Sequence, residues 1–213
     1  MSFPNGSAGG PDGLRPQHLK DLITSTPDDD PFLEAVTDLV NLLLRGATPI
    51  DVRRLIYGAT LLAVKKKSGG IRPIAVGYVW RRLAAKVACT WAKSRVVAVL
   101  APRQLGFGMP FGAEAAVHAA RRFVENLQEG HVMLKVDFRN AFNTLRRDSI
   151  LESIEKLLPE LLPFSASSME GASDLKFGNF ILSSEEGAQQ GDPLGPLYFC
   201  LAFKEIMESL QSE

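Results

Sequence analysis

The chain has 213 residues, of which 46% are hydrophobic, and its 24 basic side chains balance its 24 acidic ones. This composition excludes an intrinsically disordered chain and predicts one or two globular domains, and the longest apolar run near the C-terminus, residues 197–203, is too short to span a membrane. Two lone cysteines, predicted to be buried thiols, exclude a disulfide framework, and the N-terminus lacks a secretory signal, so we expect an intracellular protein.

The N-terminal part is predicted to form a turn and two helices. Glycines and a Pro-Asp-Gly sequence at residues 7–14 favour a tight reversal, after which a short helix begins near Arg15. A second helix is predicted over about residues 31–45, with Asp30 as its N-cap and a proline in its first position. We interpret the three aspartates at 28–30 as a solvated helix entrance rather than a metal site.

Segment 45–103 is strongly basic, with thirteen Lys and Arg against a single Asp. Two strand-like runs at 60–64 and 71–76 flank a basic turn with a Gly-Gly tip and predict a hairpin. This excess of twelve positive charges would attract a phosphate backbone, so the neutral total does not exclude a polyanionic partner. The alternative is a solvated basic surface that neighbouring acidic segments balance after folding.

A long helix predicted over about residues 79–100 carries two stripes. Leu83, Val87 and Trp91 recur at helical spacing and predict its buried face. The second stripe faces either a nucleic-acid backbone or water and consists of Arg82, Lys86 and Lys93.

Helices mixed with hairpins, without an internal repeat, indicate an α+β fold. The further predicted elements are a helix over about 113–127, a strand at 132–136 that ends at Asp137, a helix over about 147–158, a small polar loop at 159–173, a hairpin at 175–182, a turn at 187–196 and a last helix to 210, with Leu197, Phe199, Leu201 and Phe203 in the core.

Two segments carry most of the functional information. Residues 131–143 read His-Val-Met-Leu-Lys-Val-Asp-Phe-Arg-Asn-Ala-Phe-Asn, and a carboxylate at a strand end, here Asp137, can hold a divalent cation against a phosphate. Residues 187–199 read Gly-Ala-Gln-Gln-Gly-Asp-Pro-Leu-Gly-Pro-Leu-Tyr-Phe, a turn that leads into an apolar helix. In this order the two segments resemble the A and B motifs of reverse transcriptases, specifically those of LINE-type (non-LTR) retrotransposons.

The resemblance covers nearly the whole chain in collinear order. Residues 7–22 are similar to the family's N-terminal motif, and the hairpin at 64–76 is similar to its fingers. The resemblance implies a partial right-hand polymerase, with a fingers-like region over 1–130 and an incomplete palm over 131–213. It also implies an RNA template, a DNA primer and a deoxynucleoside triphosphate (dNTP) as partners, and Mg²⁺ as the cofactor.

The resemblance further implies roles for single residues. Asp137 would be the catalytic carboxylate and a ligand of both Mg²⁺ ions, and the Phe138 carbonyl would complete part of the second ion's shell. Phe142 would lie under the sugar and exclude a 2′-hydroxyl by its volume. Contacts to the nucleotide are implied for Arg72, for one hairpin lysine, and for Gln190 and Gly191. Spacing does not choose among Lys65, Lys66 and Lys67, of which Lys65 is our candidate.

One family motif is not found up to Glu213: an aromatic residue, any residue, and two aspartates, followed in the family by a primer grip and a thumb. Two-metal catalysis needs several converging carboxylates, so we predict that the 213-residue chain binds Mg²⁺ weakly and does not polymerise DNA by itself. The strand that ends at Asp137 would also present an open palm edge, prone to association with another chain.

A function of a different class is also open. The chain would then be a non-catalytic nucleic-acid-binding remnant that uses the basic segment 45–103. Strong, salt-sensitive binding without nucleotide incorporation would favour this alternative.

Overall fold

The computed structural model describes residues 3–27, 30–67 and 69–209. Asp28 and Asp29 of the predicted helix entrance lie outside the described residues. The described helices are α1 (Pro16–Ser25), α2 (Pro31–Leu44), α3 (Ile50–Ile56), α4 (Val79–Leu100), α5 (Gly112–Glu125), α6 (Ala141–Thr144), α7 (Arg147–Leu157), α8 (Leu162–Met169) and α9 (Gly195–Ser209). The described strands are β1 (Ala59–Lys65), β2 (Ile71–Gly77), β3 (Ser173–Phe177) and β4 (Phe180–Ser184).

Helix α2 begins where the sequence predicts it. The side chain of Asp30 accepts a hydrogen bond of 2.8 Å from the Phe32 N–H, and Pro31 occupies the first helical turn. The cap satisfies one of the N–H groups that have no partner inside a helix, and the proline loses no bond at this position.

The four strands form one sheet in the order β2-β1-β3-β4. Both predicted hairpins are confirmed, because β1 pairs with β2 and β3 pairs with β4 in antiparallel register. The parallel pairing of β1 with β3, in which Ala59 lies opposite Leu175, joins the two hairpins across more than a hundred residues of sequence. The predicted mixture of helices and strands is therefore confirmed as a mixed α/β architecture with a small sheet.

The core lies among helices α2, α4, α7, α8 and α9, and α4 contributes a stripe of alanines to it. Ala84, Ala85, Ala88 and Ala92 are buried, whereas Val87 is 44% exposed, so the prediction of Val87 in the buried face is wrong. Leu83 and Trp91 are only partly buried. Small side chains let the neighbouring helices approach closely, and the larger apolar residues then pack at the margins of the contact.

Residues 159–173 fold mainly as helix, and the prediction of a loop there is wrong. A 3-10 turn at Pro159–Leu161 continues into α8, which buries Phe164 and Met169. The serines of α8 made this segment look polar, but they are paired with buried phenols: Ser165 Oγ lies 2.9 Å from the Tyr198 hydroxyl, and Tyr57 donates to Ser167 at 3.1 Å. A buried hydroxyl with a partner carries little cost.

The segment at 132–136 forms no strand, so this prediction is also wrong. No described strand lies beside it, and an extended backbone needs a neighbour to become part of a sheet. Val132 and Leu134 are each 83% exposed in consequence. The absence of a neighbouring strand, rather than low strand propensity, accounts for the difference.

Helix α9 buries Leu197 and Leu201 as predicted, but Phe199 and Phe203 are only partly buried. Alternate residues fall on different sides of a helix, so 197, 199, 201 and 203 do not share a face. Cys200 is buried as predicted and Cys89 is partly buried. Burial raises the pKa of the Cys89 thiol to about 12 and that of Cys200 to about 11, so both stay protonated near neutral pH.

None of the described helices combines the length and the apolar character that crossing a membrane requires.

Replacing Ile154 by alanine tests the core. Ile154 on α7 is 0% exposed in the main cluster, so Ile154→Ala should lower the free energy of unfolding by about 2–5 kcal/mol, measured by urea denaturation. Ile206 on α9 is 52% exposed and supplies the matched control, since Ile206→Ala should cost less than about 1 kcal/mol. Equal losses for the two variants would contradict the described core.

Candidate functional site

The turn that opens the B-motif segment lies between the A-motif segment and strand β2. The Ala188 N–H donates to the Phe142 carbonyl at 2.8 Å, and the Ala75 N–H of β2 donates to the Gln190 carbonyl at 2.7 Å. Three segments that are far apart in the sequence therefore meet at residues 187–192, which we call the B turn.

Two glycines make these contacts possible. Gly191 has φ +124°, and a Cβ there would lie 2.4 Å from the Ala75 carbonyl oxygen. Gly187 has φ +59°, and a Cβ there would lie 2.4 Å from the Phe142 carbonyl oxygen. Only glycine tolerates both the backbone conformation and the close approach. The close neighbour of Gly191 is strand β2, and its implied approach to a template base stays a prediction.

A buried arginine, Arg81 in the first turn of α4, holds the other side of the B turn. It is 3% exposed, and its guanidinium donates to the Tyr57 carbonyl at 2.5 Å, to Gln189 Oε1 at 2.9 Å and to Asp192 Oδ2 at 3.0 Å. Gln189 in turn donates to the Tyr57 carbonyl at 3.0 Å and to Ser173 Oγ at 2.9 Å. These five residues form one hydrogen-bonded group, which we call the Arg81 cluster.

A second arginine, Arg147 at the start of α7, supports the approach to the B turn. Its guanidinium donates to the carbonyl oxygens of Met169 at 3.0 Å, Gly171 at 2.8 Å, Ser184 at 3.1 Å and Gly187 at 3.3 Å. Burial lowers the pKa of Arg147 from its usual value, yet an arginine remains charged at any physiological pH. Arginines therefore anchor the B turn at both of its ends.

The A-motif residues lie on the exposed side of this arrangement. Asp137 is exposed, and the Phe138 ring packs edge-to-face on Phe203 with centroids 5.3 Å apart. The Phe142 ring packs edge-to-face on Phe199 at 5.9 Å. Helix α9 thus orients both phenylalanines of the A motif.

The implied nucleotide contacts of the hairpin lie at its outer end. Lys65 is the last residue of β1, Arg72 is opposite Val64, and both side chains are exposed. Arg72 is three residues from Ala75, which corresponds to about 10 Å along a strand. The structure thus brings Phe142, Gln190 and Gly191 together, whereas Lys65 and Arg72 lie farther along the hairpin.

Much of the basic segment is used inside the protein. Arg53 pairs with Glu170, Arg54 with Asp174 at 2.5 Å, and Arg103 with Glu208 at 3.8 Å. Arg82 donates to the Ala8 carbonyl at 2.8 Å and, with Lys86, lies over the Phe3 ring. The acidic C-terminal segment therefore balances part of the charge, as the alternative interpretation expected.

Among the described residues, no three His, Cys, Asp or Glu side chains converge to hold a metal ion. A two-metal centre needs several carboxylates within a few ångströms. Asp137 alone does not fit the Mg²⁺ centre that the resemblance implies.

Sequence reasoning missed the Arg81 cluster, although the sequence contains a signal for it. Arg81 precedes Ala85, Ala88 and Ala92 at spacings of four, seven and eleven residues, which places it on the buried alanine stripe. A charged residue on a core stripe is rarely buried without a partner. That pattern predicts a buried carboxylate or carbonyl partner for Arg81, which Asp192 and Tyr57 provide.

Comparisons with known proteins agree with this geometry. The profile of the family described as reverse transcriptase (RNA-dependent DNA polymerase) matches residues 64–213, about two thirds of the chain. The chain is also similar to the retrotransposable element SLACS 132 kDa protein of Trypanosoma brucei gambiense, with 26% identity over 216 residues. That alignment covers 97% of this chain and 17% of the relative's length, so the chain spans only a small part of the curated relative. The chain therefore belongs to the reverse transcriptase family, and its similarity to a retrotransposon protein agrees with the non-LTR resemblance of its A and B motifs.

Proposed function

We propose that this chain forms the fingers and part of the palm of a retrotransposon reverse transcriptase, an RNA-directed DNA polymerase. The observation that carries the proposal is the meeting of strand β2, the A-motif segment and the B turn, through the hydrogen bonds of Ala75 to Gln190 and of Ala188 to Phe142. The boundary between the two regions is placed near residue 130.

The proposed partners are an RNA template, a DNA primer and a dNTP. Arg72 and Lys65 would contact the triphosphate, for which guanidinium and ammonium donors are suited. Gln190 and Gly191 would line the nucleotide pocket, and the Phe142 ring would exclude a 2′-hydroxyl. Asp137 and the Phe138 carbonyl would bind Mg²⁺ once further carboxylates are supplied, and without them we expect weak binding.

A primer-extension assay tests the catalytic part. We expect the purified 213-residue polypeptide not to extend a DNA primer on an RNA template with dNTPs and Mg²⁺, because a single carboxylate does not hold two metal ions. Extension that Asp137→Asn abolishes would contradict this expectation. It would also establish Asp137 as a catalytic residue.

Photocrosslinking tests the nucleotide pocket without requiring catalysis. A photoreactive dTTP analogue, mixed with the polypeptide and a primed RNA template, should form adducts near residues 142 and 190–191. Arg72→Ala should lower the adduct yield about ten-fold, because one charge-assisted contact to phosphate is lost. Arg146 is also exposed and supplies the control, since Arg146→Ala should leave the yield unchanged. Adducts spread over the surface, or equal yields for both variants, would argue against the pocket.

The second candidate function is nucleic-acid binding without catalysis. It is favoured by the exposure of three consecutive lysines, Lys65, Lys66 and Lys67, at the hairpin turn, in contrast to the paired arginines of the same segment. Such lysines can approach a phosphate backbone without breaking an ion pair.

Salt dependence measures this contribution. Replacing the three hairpin lysines by alanine should weaken binding to single-stranded RNA and reduce the slope of log K against log salt by about 2, since each phosphate contact contributes about 0.7. Alanine at three exposed basic residues elsewhere, Lys20, Arg121 and Lys176, is the matched control. Equal changes for both triple variants would mean that the hairpin has no special role.

The exposed A-motif segment is proposed to be an association edge. Val132 and Leu134 are each 83% exposed, so the isolated polypeptide should self-associate at micromolar concentration, as followed by sedimentation velocity. Leu134→Lys should reduce the association by adding charge to this edge. Ile50 is 72% exposed on α3, and Ile50→Lys should have little effect. A cooperative, monomeric melt of the unmodified polypeptide would argue against the proposal.

A further inference from the structure

We propose that Arg81 is a positioning residue of the nucleotide pocket. Its buried guanidinium fixes the B turn against strand β2 and thereby sets where Gln190 and Gly191 lie. The inference rests on the proposed function, because the B turn is a nucleotide-pocket element only if the chain is part of a polymerase.

The shape of the guanidinium makes this hold specific. Arg81 has three acceptors on two parts of the chain: the Tyr57 carbonyl before β1, and Gln189 Oε1 and Asp192 Oδ2 in the B turn. A guanidinium presents its donors in one plane and in a rigid fork, so it satisfies all three acceptors in only one arrangement. Lysine has a single charged nitrogen and does not reproduce that arrangement.

The acceptors themselves are fixed by further bonds. Gln189 donates to the Tyr57 carbonyl and to Ser173 Oγ, which ties the first half of the B turn to the ends of β1 and β3. Asp192 uses its other carboxylate oxygen to accept from the Leu194 N–H at 2.9 Å, just before α9. The Arg81 cluster therefore joins the β1–β2 hairpin, the β3–β4 hairpin and helix α9.

Strand β2 leaves room for the guanidinium. A Cβ on Gly77, the last residue of β2, would lie 3.2 Å from Arg81 Cζ, which is tighter than an ordinary contact. Two residues before Gly77 on the same strand, the Ala75 N–H donates to the Gln190 carbonyl. The last residue of β2 thus accommodates the arginine, and Ala75, two residues earlier, bonds the turn that the arginine holds.

Arg81 acts through other residues rather than on a substrate. Its described hydrogen bonds reach Gln189 and Asp192, which flank Gln190 and Gly191 in the turn. They also reach the Tyr57 carbonyl, which accepts a second hydrogen bond from Gln189. It is 3% exposed, so a nucleotide in the pocket would not touch it. Its effect on the pocket is therefore one of position.

The test separates position from overall stability by choice of variants. Arg81→Met alone leaves the Asp192 carboxylate without its cation and should lower the melting temperature by about 10 °C. The double variant Arg81→Met with Asp192→Asn removes both charges and keeps an acceptor for the Leu194 N–H, so it should recover most of that loss. Arg82→Met, in the same helical turn, is the matched control, because Arg82 contacts the N-terminal segment instead.

Amide hydrogen exchange on the full chain distinguishes positioning from a general structural role, because a general role would change the exchange rates of neighbouring amides alike. The Ala75 N–H reports on the B turn, because it donates to Gln190. Val76 is the internal control, since successive amides of a strand point to opposite sides and its N–H is directed toward β1.

In the double variant, Ala75 should exchange at least about ten-fold faster while Val76 is unchanged, and Arg82→Met should change neither. Arg81→Lys, which keeps the charge without the fork, should still accelerate Ala75. Wild-type protection of Ala75 in the double variant would overturn the proposal. Equal acceleration of Ala75 and Val76 would also overturn it, because Arg81 would then support the fold as a whole.

The dTTP photocrosslink supplies a second arm. If the wild-type chain forms adducts at residues 190–191, the double variant should lose most of them, and an unchanged yield would overturn the proposal. If the wild-type chain forms no such adducts, the proposed nucleotide pocket fails, whereas the exchange of Ala75 still decides whether Arg81 holds the turn.

Discussion

The ion pair between the buried Arg81 and the partly buried Asp192 is the interaction on which the rest of the site depends. Away from water, an unpaired charge is costly, and breaking such a pair typically costs about 3–5 kcal/mol. Arg81 therefore retains its partners only when the B turn stays in place. Gln189, which also bonds Arg81, donates to Tyr57 before β1 and to Ser173 at the start of β3. The position of the Asp192 carboxylate is therefore coupled to both hairpins.

The B turn passes this constraint to strand β2 and to the A-motif segment. It receives the Ala75 N–H on one side and donates from Ala188 to Phe142 on the other, with glycines at both contacts. The A-motif segment is nevertheless only half supported. Phe138 and Phe142 pack on the phenylalanines of α9, whereas 132–136 have no strand beside them among the described residues. Asp137 thus lies at the junction between the part of the A-motif segment that packs on α9 and the exposed part at 132–136.

Charge in this protein is divided between structural and exposed uses. Three arginines of the basic segment pair with Glu170, Asp174 and Asp192, and these carboxylates balance part of their charge. The lysines at the hairpin turn are exposed, so their positive charge can attract a polyanion in solution. A sequence count of twelve excess positive charges in 45–103 therefore overstates the charge available to an external polyanion.

The sequence by itself determined the features that depend on short-range chemistry. The Asp30 cap, both hairpins and the extents of α4 and α7 follow from residue type and local spacing, and these elements appear where they were predicted. Tertiary structure alone decided the rest. Whether 132–136 becomes a strand depends on a neighbouring strand, the serines of α8 are buried only because Tyr57 and Tyr198 supply partners, and the burial of Arg81 requires Asp192 from the other end of the chain. In each case a polar group or an extended backbone is stable only when a distant residue completes its hydrogen bonds, and local sequence does not specify that residue.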